Sequence, residues 1–204
     1  FVEKQGIKIK SFDELDLSKK YTYADYLTWQ FDEFVELIKG KVFKMAAPSM
    51  RHQAVSANIH GAIWMHLRKQ SCKVFSAPFD VRLPLPLNQM KDDKIDTVVQ
   101  PDICVVCDLE KLDERGCQGA PNWIIEILSK GTATKDLRDK FELYQHAGVA
   151  EHWIVHPSEE TVIPYHLYVL GKYDALRPNP FTVEESIISS VFPDLVVDLK
   201  EVFS

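Results

Sequence analysis

Residues 123–128 are Trp-Ile-Ile-Glu-Ile-Leu, and this stretch decides the fold class of the chain. A short run of apolar residues at successive positions is typical of a strand that is buried on both faces of a sheet. A second run of this kind, Ile-Cys-Val-Val at residues 103–106, lies shortly upstream. Strands buried on both faces need helices packed against them, so the two runs predict an α/β fold.

The helices that would cover this sheet are indicated by capping and periodicity. Ser49 can cap a long helix to about residue 70, and a second helix is predicted over residues 134–147 with Gly148 as its C-terminal stop. A short helix at 22–30 and strands at 33–39, 41–47, 72–77, 79–85, 151–156 and 162–170 complete the pattern. The sequence therefore predicts a mixed β-sheet flanked by α-helices, in one domain over 21–204 after an N-terminal extension at 1–20.

The composition fits an ordinary globular protein. Of the 204 residues, 46% are hydrophobic and 26% are charged, and no apolar stretch reaches the length of roughly 18 to 20 residues that a transmembrane helix needs. The first residues lack an apolar signal region, so we expect a cytoplasmic protein with no membrane partner. The net charge of −6 argues against a protein that coats nucleic acid with a basic surface, but it leaves room for an acidic metal site.

Two cysteines, Cys104 and Cys107, have the spacing of a zinc knuckle or a redox pair. Both fall within a predicted strand, where residues three apart point to opposite faces, so the two thiols cannot bind one ion. We therefore expect both to be buried, apolar packing residues.

Two carboxylates interrupt the apolar strands. Glu126 is the only polar residue in its run, and Asp102 opens the upstream run directly after Pro101. An uncompensated buried carboxylate costs several kcal/mol, so Glu126 needs a cation, a metal or a proton. Together the two acids could hold Mg²⁺ or Mn²⁺. Alternatively, Glu126 belongs to a buried ion pair and Asp102 is a turn residue at the start of a strand.

The helix at 134–147 carries a third anomaly. At 100° per residue, Lys140 falls near the middle of the apolar arc of this helix, where it should face the sheet and an anionic partner. Alternatively, its long side chain extends outward past its neighbours into water. Two acids and an inward lysine supply what phosphodiester hydrolysis needs, because the acids hold the metal and the lysine adds a fixed positive charge near the phosphate.

In sequence motifs, the chain resembles a bacterial family of restriction endonucleases, abundant in cyanobacteria, within the PD-(D/E)xK superfamily. The likeness begins at about Tyr21 and covers nearly the whole remaining chain. The motifs that carry it are Val35-Glu-Leu-Ile-Lys-Gly40, Pro48-Ser-Met-Arg-His-Gln53, Asp80-Val-Arg-Leu83, Gln100-Pro101-Asp102, Ile124-Ile-Glu-Ile-Leu-Ser129, Lys140-Phe-Glu-Leu-Tyr144 and Glu151-His-Trp-Ile-Val155.

The resemblance implies a restriction-endonuclease-like core in which Asp102 and Glu126 are catalytic acids and metal ligands. The superfamily usually has a lysine two residues after the second acid, but Leu128 occupies that position here. In this family a lysine from the following helix takes its place, which corresponds to Lys140. The resemblance also makes Glu36 a further metal-ligand candidate.

Two accessory candidates are left open. His52, at the start of the long helix, either contacts phosphate or water at the edge of the site or is a hydrogen-bonded core histidine. Asp80 either helps to hold metal or pairs with Arg82 or solvent.

The expected function is hydrolysis of DNA by a metal-dependent endonuclease. Two alternatives are a nuclease fold that binds nucleic acid or a protein partner without cleaving, and a hydrolase of small phosphodiesters with the same metal site. A homodimer is compatible with cutting both strands of a duplex.

Overall fold

The computed structural model describes residues 9–84, 91–129 and 134–204, with side chains described from Leu137 onward in the last range. The chain divides into two units. Unit 1 contains Phe1–Ala46 and Arg82–Val99, and unit 2 contains Ala47–Val81 and Gln100–Ser204. The N-terminal extension at 1–20 and the single domain at 21–204 stay predictions.

Unit 1 is built on a β-hairpin. Strands β1 (Val35–Ile38) and β2 (Lys41–Lys44) pair antiparallel, and β5 (Val98–Val99) pairs with β1 as well. The turn uses Lys39 and Gly40 with φ values of 51° and 80°, the left-handed conformation that suits the twist of a tight hairpin. The predicted hairpin is confirmed, with shorter strands.

The first helix is shorter than predicted. Helix α1 (Tyr23–Tyr26) begins as expected after Thr22, whose backbone N–H donates to the Asp25 side chain at 2.8 Å. It ends after one turn. There the Thr28 hydroxyl donates to the Asp25 carbonyl at 2.7 Å, and the Thr28 amide donates to the same carbonyl at 2.9 Å. Tyr23 packs into the core of unit 1 with Leu37, Ile95 and Val98.

Unit 2 contains the sheet that carries the candidate site. In the described residues its strand order is β12 (Tyr173–Ala175), β11 (Thr161–Leu167), β10 (Glu151–His156), β9 (Trp123–Ile127), β6 (Ile103–Val106) and β3 (Lys73–Ser76). Neighbours pair antiparallel except β9 and β10, which are parallel. Helix α3 (Thr134–Ala147) connects that pair, since parallel strands require a crossover. The mixed sheet with flanking helices is confirmed.

One face of this sheet is covered by helix α2 (Met50–Leu67) and is called the α2 face. Ser49 caps the helix by accepting a hydrogen bond from the His52 amide, and the four inward positions predicted by periodicity are buried. Burying each such aliphatic side chain stabilises the fold by about 1.5–3 kcal/mol. The core on this face includes Val55, Ile59, Ile63, Leu67, Ile103, Ile125, Trp153 and residues of helix α4 (Leu199–Phe203).

Helix α3 covers the opposite face, called the α3 face. Because side chains alternate along a strand, Glu126 and His152 point away from the core formed by Ile125 and Trp153. Tyr144 of α3 contacts both, with its hydroxyl 2.6 Å from Glu126 Oε1 and its ring centroid 5.2 Å from that of His152. The two faces of the sheet are therefore chemically different.

Helix α3 ends where the sequence predicts. Gly148 has a φ of 86° and its amide donates to the Tyr144 carbonyl at 3.1 Å, which completes a glycine C-terminal stop. The remaining strands, several of them too short to give a sequence signal, are β4 (Val81–Arg82), β7 (Leu112–Asp113), β8 (Gly116–Gln118), β13 (Phe181–Thr182), β14 (Ser186–Ile188) and β15 (Val196–Asp198). Within the described ranges, no helix has the length and apolar character needed to cross a membrane.

The cysteines correct one prediction. Cys104 and Cys107 do point to opposite faces, but Cys107 is not a free packing residue, because it forms a disulfide with Cys72. The register of β3 and β6 pairs Lys73 with Val106, so the two bridged cysteines are the next cross-strand pair, with Cα atoms 4.0 Å apart.

We predict that Cys72→Ser lowers the free energy of unfolding by about 3–4 kcal/mol, because the bridge closes a loop of sequence separation 35. Urea unfolding followed by tryptophan fluorescence measures this loss. Adding reductant should destabilise the parent to the same extent and leave the variant unchanged. Equal midpoints for oxidised parent and variant would contradict the prediction.

Candidate active site

The register of two strands places the two predicted acids side by side. The ladder between β6 and β9 pairs Ile103 with Ile125, and Asp102 and Glu126 directly adjoin this last pair on their two chain segments. The Ile127 amide donates to Asp102 Oδ2 at 2.7 Å, so the Asp102 side chain bonds directly to the backbone of β9.

Glu126 is buried, at 8% exposure, and its charge is compensated by Lys140. The lysine Nζ lies 3.2 Å from Oε1 and 3.4 Å from Oε2. The inward direction of Lys140 predicted from periodicity is therefore confirmed, and the outward alternative is wrong. The ion-pair alternative for Glu126 is also present, and a carboxylate bound by ammonium can still belong to a metal site. The metal-binding role of Glu126 stays a prediction.

Tyr144 is a member of this site that sequence reasoning missed. It is fully buried and donates its hydroxyl to Glu126 Oε1 at 2.6 Å, a short bond typical of an O–H donor and a carboxylate. Tyr144 lies one turn after Lys140 on the same face of α3. A buried tyrosine usually finds a partner for its hydroxyl, and that rule was the available signal.

His52 holds the other carboxylate. Its Nε2 lies 3.2 Å from Asp102 Oδ1, and the ring is buried at the first turn of α2. The hydrogen bond with Asp102 raises the pKa of His52 above its ordinary value, although burial opposes the shift. His52 is thus a buried, hydrogen-bonded histidine, as the second interpretation expected, and its contact with phosphate or water stays a prediction.

The structure also describes the other two candidates, Asp80 and Glu36. Asp80 accepts a hydrogen bond from Gln100 Nε2 at 2.8 Å, which links it to the segment that leads into Asp102. Glu36 is buried on β1 in unit 1, at 6% exposure. The metal-binding roles of Asp80 and Glu36 stay predictions.

Comparison with known proteins identifies the family of this chain. The sequence matches the Uma2 family, described as "Putative restriction endonuclease", over residues 23–200. The chain belongs to the Uma2 family. The resemblance noted in the motifs is therefore confirmed, and the match includes every candidate site residue.

Two individual proteins illustrate how far this Uma2 chain has diverged. An uncharacterized protein of Synechocystis sp. is 23% identical over 150 residues, which are 72% of this chain and 74% of that protein. The crystal structure of a "putative nuclease" of the DUF820 family from Anabaena variabilis is 20% identical, with a TM-score of 0.69 over 90% of this chain and 97% of the other. At this identity the likeness shows a shared fold.

The Uma2 chain has two candidate carboxylate ligands, Asp102 and Glu126, but they do not belong to a larger cluster of metal-binding side chains in the described residues. Across residues 9–84, 91–129 and 134–204, no three or more His, Cys, Asp or Glu side chains are grouped so that they could hold a metal ion. Mg²⁺ is commonly held by one or two carboxylates, with waters and substrate phosphates as its other ligands. A pair such as Asp102 and Glu126 is compatible with that mode of binding.

A buried histidine backs this site on the α3 face. His152 is fully buried, and neither ring nitrogen has a hydrogen-bond partner among the described residues. Burial, with a smaller contribution from the charge of Lys140, lowers the pKa of His152 to about 3. The neutral ring lies in an aromatic cluster whose other members are Phe141, Tyr144, Tyr165 and Tyr173.

We predict that His152 makes the protein less stable in acid. Its pKa of about 3 in the folded state is below the ordinary value of 6.5, so between these values the unfolded chain binds a proton that the folded chain excludes. The contribution of neutral His152 to the free energy of unfolding is therefore complete above about pH 6.5. It falls by on the order of a few kcal/mol as the pH decreases toward 3.

Urea unfolding at several pH values tests this with two variants. His152→Phe should flatten the loss of stability between pH 6.5 and 4, whereas His156→Gln, at the partly exposed end of β10, should keep the parent's slope. Parallel pH profiles for the parent and His152→Phe would contradict the prediction.

Proposed function

We propose that this Uma2 protein is a metal-dependent endonuclease that hydrolyses phosphodiester bonds in DNA. The observation that carries the proposal is the ion pair of Glu126 with Lys140, next to an Asp102 carboxylate that accepts a hydrogen bond from the Ile127 amide. The two acids adjoin the last pair of the β6–β9 ladder, and the lysine reaches Glu126 from a different element. Family membership supports the same assignment.

The donor set fits a hard divalent cation. Asp102 and Glu126 offer carboxylate oxygens, which Mg²⁺ and Mn²⁺ prefer, and together an ionised pair of carboxylates has about eight lone-pair sites. The hydrogen bonds from His52, Ile127 and Tyr144 occupy a few of these sites. When bound, Mg²⁺ or Mn²⁺ would supply charge stabilisation for the phosphoryl transition state and a water of lowered pKa.

The protein's own groups orient the acids before any cation arrives. Asp102 is fixed at both oxygens, by the Ile127 amide and by His52, and Glu126 is fixed by Tyr144 and Lys140. Fixed ligands reduce the reorganisation that catalysis requires. Tyr144 and His52 are therefore positioning residues, and Lys140 supplies positive charge for the phosphate and the attacking water.

The net charge of −6 favours one competing function, a nuclease fold that binds nucleic acid or protein without cleaving it. Plasmid cleavage distinguishes the two. We expect nicking or linearisation with Mg²⁺ or Mn²⁺ that EDTA abolishes. Duplex binding without cleavage under any of these conditions would favour the competing function, and cleavage of small phosphodiesters alone would favour a small-substrate hydrolase.

We predict that Lys140→Met lowers plasmid cleavage by about two orders of magnitude or more, the scale of losing one electrostatic catalyst. Methionine keeps much of the packing stem, so the circular dichroism spectrum should be unchanged. The exposed Lys200 of α4 provides the control, and Lys200→Met should cleave like the parent. Parental activity in Lys140→Met would remove the lysine from the mechanism.

Metal binding gives a separate prediction, measured with Mn²⁺ by isothermal titration calorimetry. Asp102→Asn and Glu126→Gln should each weaken Mn²⁺ binding at least about tenfold, because each removes an anionic ligand. Lys140→Met should bind Mn²⁺ at least as tightly as the parent, since the ammonium competes with the cation for Glu126. Weaker binding in Lys140→Met, or unchanged binding in both acid variants, would contradict the assignment.

A further inference from the structure

A pair of stacked phenylalanines lies beside the candidate site. The rings of Phe75 and Phe79 are nearly parallel, with an interplanar angle of 5° and centroids 4.1 Å apart. Both residues are partly exposed, so aromatic surface remains open to solvent. Aromatic pairs in proteins prefer offset or edge-to-face geometry over close face-to-face stacking.

The register of β3 connects this pair to Asp102. Phe75 pairs with Cys104, which points to the same face as Asp102 because the two are two positions apart on their strand. Phe75 is therefore a diagonal neighbour of Asp102, at a separation of about 7–8 Å. The Ala77 amide donates to the Asp102 carbonyl at 3.1 Å, just after β3 ends at Ser76, and Phe79 beyond it returns to stack on Phe75.

The residues between and before the rings leave this edge accessible and add one cation to it. Ala77 is small and exposed, and β3 is the outer strand of the sheet in the described ranges. Lys73 is exposed and, two residues before Phe75, points to the same face. Lys73 and the stacked rings of Phe75 and Phe79 thus combine a cation with flat apolar surface, which is the chemistry of a single-stranded nucleic-acid path.

The positions of Lys73 and Phe75 are fixed by covalent and hydrogen-bonded structure. The β3–β6 ladder pairs four successive residues, and the Cys72–Cys107 disulfide closes its end. A rigid strand holds its side chains in a reproducible geometry relative to Asp102. The rings are therefore positioned to contact a substrate segment next to the phosphodiester bond that the acids would hydrolyse.

We propose that Phe75 and Phe79 form a stacking platform for one unpaired nucleobase next to the scissile phosphate, and that Lys73 contacts the adjoining backbone. A base can stack on a protein ring only where it is out of the duplex, so the substrate class is DNA with a single-stranded or locally unpaired segment. This inference rests on the proposed function for the location of the scissile bond.

The test measures binding separately from cleavage. A single-stranded oligonucleotide carrying one 2-aminopurine is titrated with the protein in Ca²⁺, and stacking is detected as quenching of the base fluorescence. Phe75→Leu should weaken binding about tenfold or more and abolish the quench, on the scale of losing one base–aromatic stack. Phe75→Trp, which keeps an aromatic ring, should retain both the affinity and the quenching. A merely structural role of the ring would not require this.

Two controls complete the experiment. The half-exposed Trp64 of α2 is a matched aromatic, and Trp64→Leu should bind like the parent. Lys73→Met should reduce the dependence of log affinity on log salt by about 0.7, as expected for one phosphate contact on a single strand. Mn²⁺ binding by Phe75→Leu, measured calorimetrically, should equal that of the parent and shows that the acid site is intact.

Failure of this inference and failure of the proposed function give different results. If duplex plasmid is cleaved normally while Phe75→Leu leaves single-strand affinity and quenching unchanged, the platform is overturned and the nuclease stands. If the quench depends on Phe75 but no DNA is cleaved with any metal, the platform stands on a protein that binds without cleaving. Loss of quenching in Trp64→Leu as well would also overturn the platform.

Discussion

The ion pair between Glu126 and Lys140 is the interaction on which the α3 face depends. A carboxylate at 8% exposure is costly unless a cation and hydrogen bonds compensate it. Lys140 and Tyr144 provide both, and they come from the same face of α3, one turn apart. Since α3 is also the crossover between the parallel strands β9 and β10, the connection that builds the sheet also delivers the compensating charge.

The two acids are held by different elements of the fold. Glu126 lies in the middle of a buried strand and is held by side chains from α3, whereas Asp102 lies just before β6 and is held by His52 of α2 and the Ile127 amide. Helices on opposite faces of the sheet thus each orient one carboxylate. The Asp102 carboxylate is tied to the backbone of β9 through the Ile127 amide, and side-chain substitutions hardly change that backbone. This geometry is therefore robust, while the charge around it can be altered residue by residue.

Much of this arrangement could be predicted from the sequence because it depends on local periodicity. Lys140 was identifiable as an inward lysine, and Glu126 as a carboxylate in an apolar strand. Tyr144 was missed because a tyrosine in an apolar arc is fully compatible with packing alone. The Cys72–Cys107 bridge was missed because it depends on the register between β3 and β6, which single-strand patterns do not contain. Register also pairs Ile103 with Ile125, the residues that adjoin Asp102 and Glu126, and the sequence indicated only that their strands were close.

Because the lysine is carried on helix α3, the compensation of the Glu126 charge depends on the docking of that helix. A lysine at the position of Leu128 would share the backbone of β9 with Glu126, and local strand structure would keep the pair together. Lys140 instead depends on the docking of α3, which rests on contacts such as that of Phe141 with Tyr165, whose ring centroids are 4.9 Å apart. If α3 detached, Glu126 would lose its cation while still partly buried, at a cost of several kcal/mol. Helix docking and charge compensation therefore reinforce each other, and a weakened aromatic contact remote from the acids would disturb the site before it unfolds the sheet.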